Sequence, residues 1–272
     1  ALNYYIKEEH EGPLSIEIRD RDGNVVRRYS SEEGAFERCI VRNMDQRLPF
    51  EVEYPPKKRG ANRWVWDMRR DGLHCIEDIR LFEGFDGAYV MPGTYTARVA
   101  IGGVEDAVEM TLLPDPRVDA TEAAFEEVEQ RIVEITNLMN ELLDGIASAR
   151  KSRSQIKALL ADFPETESLQ QVGTSAVERL TAWERKVLQV DFETYEDEDN
   201  LPGKLVKQVR HLLDVIDDSG PPVAAGALER LGDLKATWAA LQAERDEIDS
   251  SDIAAVNAWA RSNSVPHIAP LK

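Results

Sequence analysis

Two different periods of apolar and polar residues run along this chain, and the change from one to the other divides it. Up to about Leu113 the period is that of strands. Leu14-Ser-Ile-Glu-Ile-Arg19 alternates strictly, as a strand with one buried face does. Asp22-Gly23 supplies a turn, and Val25-Val26 with Tyr29 continues into a partner strand, so residues 1 to 30 read as three strands with a hairpin signal. From Ser31 to Gly60 the pattern is irregular and closes on Tyr54-Pro-Pro-Lys-Lys-Arg-Gly60, which blocks helix and interior strand alike and reads as an inserted surface excursion. Alternation resumes at Asn62-Arg-Trp-Val-Trp-Asp-Met-Arg69, which places Trp64, Trp66 and Met68 on one strand face. Thr94 to Ile101, a Gly102-Gly103 turn and a strand near Ala107 to Leu112 follow. About seven short strands with frequent turns predict a sandwich of antiparallel sheets.

Leu113-Pro-Asp-Pro-Arg117 is a stiff connector, since each proline restricts its own dihedrals and those of the residue before it. Beyond it Asp119 and Glu122 form a capping-box pair that predicts a helix from Ala120. Phe125, Val128, Ile132, Ile135, Met139, Leu142, Ile146, Ala149, Arg153, Ile156, Leu160 and Phe163 are then spaced by threes and fours without a break. Such a heptad stripe asks for partner helices at a shallow crossing angle. From Ala120 to Asp162 the helix would run about 60 Å, with Gly145 free to bend it. Pro164 stops it. A second stripe runs from Leu169 through Trp183 to Val190, an acidic loop spans Asp191 to Gly203, a third stripe joins Leu205, Val209, Leu212 and Ile216, and a fourth runs from Ala227 to Ile248. A short helix near Asp252 to Arg261 precedes the tail. The expected architecture is two domains, β then α: residues 1–113 an Ig-like antiparallel β-sandwich, 114–118 a proline-rich linker, and 119–272 an up-and-down bundle of about four long helices.

Composition narrows the function classes. A formal net charge of -18 repels phosphate backbones and anionic lipid, which argues against nucleic acid as a partner. No apolar run reaches the roughly 20 residues of a membrane-spanning helix, so no membrane partner is expected. Arg outnumbers Lys about two to one; acidity with scarce lysine fits a salt-adapted host, and equally plain solubility. Cys39 and Cys75 lie in no Cys-x-x-Cys pair, which argues against zinc; they form one disulfide or stand as free buried thiols. The chain opens on Ala1-Leu-Asn-Tyr-Tyr, which reads as a cut within a longer gene.

Candidate chemistry is thin. Asp20-Arg-Asp-Gly-Asn24 gathers carboxylates but lacks the remaining positions of a calcium loop and reads as a hairpin turn. Trp64 and Trp66 read as core rather than a sugar-stacking platform. Glu196-Asp-Glu-Asp199 reads as a solvated loop, and glycoside hydrolysis needs two carboxyl groups at a fixed separation that spacing alone does not single out. His10, His74, His211 and His267 are scattered, with His74 beside Cys75 the one adjacency. No catalytic, cofactor-binding or metal residue is therefore expected, and no cofactor.

Residues 1 to 30, Asn62 to Arg69, Met91-Pro-Gly-Thr-Tyr-Thr-Ala-Arg98, Leu113-Pro-Asp-Pro-Arg117, Ile253-Ala-Ala-Val-Asn-Ala-Trp259 and Val265-Pro-His-Ile268 together resemble the C-terminal region of bacterial and archaeal sortilin-like, BNR-repeat proteins, often labelled glycosyl hydrolases. The resemblance covers essentially the whole chain, and its motifs are structural. It implies an N-terminal β-propeller upstream, an Ig-like domain similar to that of the flagellar hook-capping protein, and then helices. It also implies an extracellular or periplasmic location. Any active site would sit in the propeller, with its Asp-box turns. The expectation is a non-catalytic accessory and interaction module that docks on its own propeller or self-associates through the helices. The alternative is a carbohydrate-binding or glycoside-hydrolysing fragment. Cys39, Cys75 and the 31–60 excursion depart from the family pattern.

Overall fold

The computed structural model describes residues 1–35, 53–76, 79–81, 83–194, 196–266 and 268. Antiparallel sheets come first and long helices follow. Two compact units emerge: one comprises 1–75, 81–136 and 213–224, the other 76–80, 137–212 and 225–272.

In the first unit, β1 (Leu2–Ile6) pairs antiparallel with β4 (Gly60–Trp64). A second sheet has the order β3-β2-β5-β6, with β2 at Ser15–Arg19, β3 at Val25–Ser30, β5 at Gly93–Ile101 and β6 at Val104–Leu112. Alternation along β2 sends Ile16 and Ile18 inward at 0% exposure, opposite Tyr29 and Arg27 on β3 and Val99 and Ala97 on β5. Ile6 and Trp64 from the small sheet join Ile16, Ile18, Val26, Tyr29, Tyr95 and Ala97 from the larger one in a single core. At roughly 1.5–3 kcal/mol per fully buried large apolar side chain, these residues hold the two sheets together.

The strand expected from Asn62 to Arg69 is shorter than its alternation implied. The ladder ends at Trp64, and Met68 turns at φ 60° with 44% of its surface exposed, off the face it was expected to share with Trp64 and Trp66. The reason lies in Asp67. Its carboxylate accepts from the Tyr29 hydroxyl, Arg27 Nη2 and the Arg69 amide, while the Trp66 indole donates to the Arg69 carbonyl at 2.9 Å. These bonds favour a bend over two further ladder rungs.

Helix α1 (Glu122–Asp162) begins two residues later than expected, because the Thr121 hydroxyl, rather than Asp119, accepts from the Ala124 amide at 3.3 Å. Glu126 and Glu129 of its first turns bind Arg21 (2.5 Å) and Arg70, and Glu129 also accepts from the Met91 amide at 3.3 Å.

The second unit holds the rest of α1 with α2 (Glu167–Val187), the short α3 (Asp197–Asn200), the start of α4 (Leu205–Ser219), α5 (Ala225–Ile248), a π-helical turn at Asp249–Ile253 and α6 (Ala254–Ser262). The heptad stripe buries Met139, Leu142, Ile146, Ala149 and Ile156 completely. Helix α1 runs unbroken through Gly145, whose missing side chain lets two indoles close on it: a Cβ there would lie 3.1 Å from Trp238 Cη2 and 3.5 Å from Trp183 Cη2. Both rings are pinned, Trp183 Nε1 donating to the Leu241 carbonyl at 2.7 Å and Trp238 Nε1 to Glu141 at 3.1 Å.

Candidate functional site

Charge along α1 runs against the trend of the chain. From Gly145 to Ala161 the helix carries Arg150, Lys151, Arg153 and Lys157 and no acidic residue. Arg153 falls on the apolar stripe, where a guanidinium has to find a partner or leave the core. Helix α2 supplies one. Glu184, next to Trp183 and only 3% exposed, accepts from Arg150 Nε at 2.6 Å and from Arg153 Nη1 at 2.5 Å. Arg153 Nη1 also donates to the Thr181 hydroxyl at 3.3 Å, and that hydroxyl donates to the Val177 carbonyl at 2.7 Å. Arg153 is thus clamped by one nitrogen, and its Nε and Nη2 hydrogens have no protein acceptor among the described residues. Beside this pair opens a cleft of about 620 Å³ lined by Arg150, Arg153, Lys157, Arg185, Ser154, Thr181, Glu184 and Val190. Arg185 is engaged by Asp191 at 2.8 and 3.0 Å, whereas exposed Lys157 has no ion pair among the described residues.

A second surface belongs to the sheets. Among the described residues β6 is the last strand of its sheet, with no strand paired to its outer edge. From Val104 to Glu109 it is exposed on both faces, with Val104 at 66% and Val108 at 57%. A nine-residue open edge is a template for another strand, and Glu105, Asp106 and Glu109 are the charges that keep such an edge from pairing indiscriminately.

Compared with known families, with curated proteins and with solved structures, the chain matches none.

Among the described residues, most acidic and aromatic positions singled out in the sequence are engaged in structure. The Asp20 carboxylate accepts from the Asp22 amide (3.0 Å), the Asn24 amide (2.8 Å) and the Asn24 side-chain amide (3.0 Å), closing the β2–β3 turn around Gly23 at φ 85°. Trp64 and Trp66 are buried at 8% and 9%, edge-on to Tyr29 and Tyr95 respectively, and present no open indole face for a sugar. In the Glu196–Asp199 run, Asp197 accepts from the Thr194 and Glu193 amides, both at 2.7 Å, and those bonds hold its carboxyl below the usual range; Glu198 pairs with Lys207. Cys75 is in a disulfide, and Cys39 lies outside the described residues, as does His267. His10 packs against Gly102, while His74 and His211 are exposed. Among the described residues no three His, Cys, Asp or Glu side chains gather as a metal site.

One carboxyl is displaced strongly from its ordinary behaviour. Burial pushes Asp217 up to about 6, against the hydrogen bond it accepts from the Tyr89 amide (3.0 Å) and the nearby Arg69 cation; Arg69 in turn lies 3.8 Å over the Tyr89 ring. Asp217 serves as a backbone anchor, fixing the residues just before β5. The sequence reading missed Asp217 and the Arg153–Glu184 pair. Only Arg153 left a signal, a cation inside an otherwise apolar stripe.

Proposed function

We propose that this chain is a non-catalytic interaction module, the C-terminal part of a larger secreted protein that carries a β-propeller of the sortilin-like, BNR-repeat type upstream. In this reading the two sheets are an Ig-like sandwich and the helices an up-and-down bundle of about four. The observation that carries it is the edge strand β6, with Val104 and Val108 exposed. An edge strand binds an extended partner through main-chain hydrogen bonds, and exposed alternate side chains add selectivity. Glu105, Asp106 and Glu109 favour a strand with neutral or basic side chains, such as a propeller loop, over a second copy of β6. The Cys75 disulfide suits an oxidising compartment.

The test is binding between this chain and the separately expressed upstream segment, measured by calorimetry, with sedimentation to detect self-association. Binding is expected, and Val108→Glu should weaken it by about tenfold or more, the loss of a central apolar contact on an edge. Absence of both binding and self-association, or turnover of chromogenic glycosides by this chain, would overturn the proposal.

A further inference from the structure

The geometry points to a second, independent site: the cleft between α1 and α2 binds a tetrahedral oxyanion, a phosphate or sulfate group carried on a small molecule. The need to neutralise Glu184 does not explain the arrangement. One buried carboxylate calls for one guanidinium, yet two meet it, and Lys157 and Arg185 stand on the same walls. Arg153 carries the specificity. Because Nη1 is spent on Glu184 and Thr181, the guanidinium is held in one orientation, and among the described residues the donors left over are Nε–H and Nη2–H. That pair is the fork that grips two oxygens of a carboxylate, phosphate or sulfate in parallel.

Lys157 adds a mobile point charge with no competing ion pair among the described residues, and the Ser154 hydroxyl lines the same cleft. Two cations and a hydroxyl from one stretch of α1 supply more donors than a planar carboxylate needs and suit the four oxygens of a phosphate or sulfate. The volume of about 620 Å³ exceeds a single ion, and Val190 offers apolar wall for the remainder of the ligand. A net charge of -18 disfavours extended polyanions, whose many charges meet the whole surface, so a compact ligand with one anionic group is selected.

Titration of the full chain with inorganic phosphate, followed by 31P line broadening, tests the site; inorganic sulfate as competitor and a sugar phosphate beside a sugar sulfate separate the two sources. Saturable binding of phosphate or sulfate is expected. Arg153→Gln should weaken it by roughly tenfold or more, the loss of one charge-assisted bidentate contact. That variant also strips a partner from Glu184 and can unfold the helices. Exposed Lys157→Gln therefore carries the same test, with about a threefold to tenfold loss expected, while Lys151→Gln, on the same helix but off the cleft, leaves binding unchanged. Linear, unsaturating responses to both anions, or equal loss in Lys157→Gln and Lys151→Gln, would overturn the assignment.

Discussion

Replacing Gly145 by alanine sets helix propensity against packing, and the structure decides which wins. Alanine in a helix interior gains roughly 0.5–1 kcal/mol over glycine. At Gly145 the new Cβ would sit 3.1 Å from Trp238 Cη2, with Trp183 Cη2 at 3.5 Å and Trp238 Cζ2 at 3.7 Å. The indole has to retreat by a few tenths of an ångström. It is not free to do so, since Trp238 Nε1 is tied to Glu141 and Trp183 Nε1 to the Leu241 carbonyl. Overpacking of this kind costs about 1–3 kcal/mol, which leaves Gly145→Ala a net loss of about 1 kcal/mol. Gly232 in α5 is the control: nothing lies within 4 Å of its would-be Cβ, so Gly232→Ala should keep the whole propensity gain of about 0.5–1 kcal/mol. Urea unfolding followed by indole fluorescence reads both variants, with an unchanged denaturant slope confirming that the midpoint shift is one of stability. Adding Trp238→Phe removes the nearest atom, Trp238 Cη2, together with Cζ2 and leaves Trp183 Cη2 at an ordinary contact distance of 3.5 Å, so Gly145→Ala should turn neutral or stabilising in that background. Equal stabilisation by Gly145→Ala and Gly232→Ala would refute the close approach of the rings.

Other outcomes follow from single side chains. Asp217 titrates at about 6 in the folded chain against an ordinary 3.8, so the folded state holds the proton more tightly; the stability this gives is complete below about pH 4 and is lost as pH rises through about 6. Allowing for the solvent that reaches a half-buried group, the loss is about 1 kcal/mol, and Asp217→Asn, which can still accept from the Tyr89 amide, should abolish that part of the pH dependence in urea melts at pH 4 and 7.5. Thiol titration of the denatured chain without reductant should find no free sulfhydryl, and two after reduction; any reactive thiol before reduction contradicts the disulfide at Cys75. Glu184→Gln leaves two guanidiniums facing a neutral amide, but both are partly exposed and can reach water, so a loss of about 1–3 kcal/mol is expected; a loss near zero would mean the pair contributes nothing to the helical unit.

Local pattern and tertiary outcome diverge at identifiable residues. The alternation of Leu14 to Arg19, the Asp22-Gly23 turn, the Gly102-Gly103 turn and the apolar stripe from Phe125 to Ala149 are local patterns, so periodicity alone located β2, β3, β5, β6 and α1. Ile253 to Trp259 likewise falls at the π-helical turn and α6, near where a short helix was expected. Trp66 and Met68 obey the same alternation as Trp64, yet the ladder stops at Trp64. Asp67 binds Tyr29 and Arg27, which lie about forty residues earlier, and no local window contains those partners.

The cationic cleft follows the same division. Sequence alone determined that cations crowd one stretch of an otherwise acidic chain and that Arg153 interrupts an apolar stripe, because composition and helical period are properties of neighbouring residues. Only the tertiary structure decided what Arg153 meets. Glu184 and Thr181 reach it across about thirty residues of sequence, and their grip on a single nitrogen leaves the other donors without a protein acceptor among the described residues. Contacts between helices depend on rotation and register of both partners, and those are fixed by packing around Trp183, Trp238 and Gly145 rather than by any local signal.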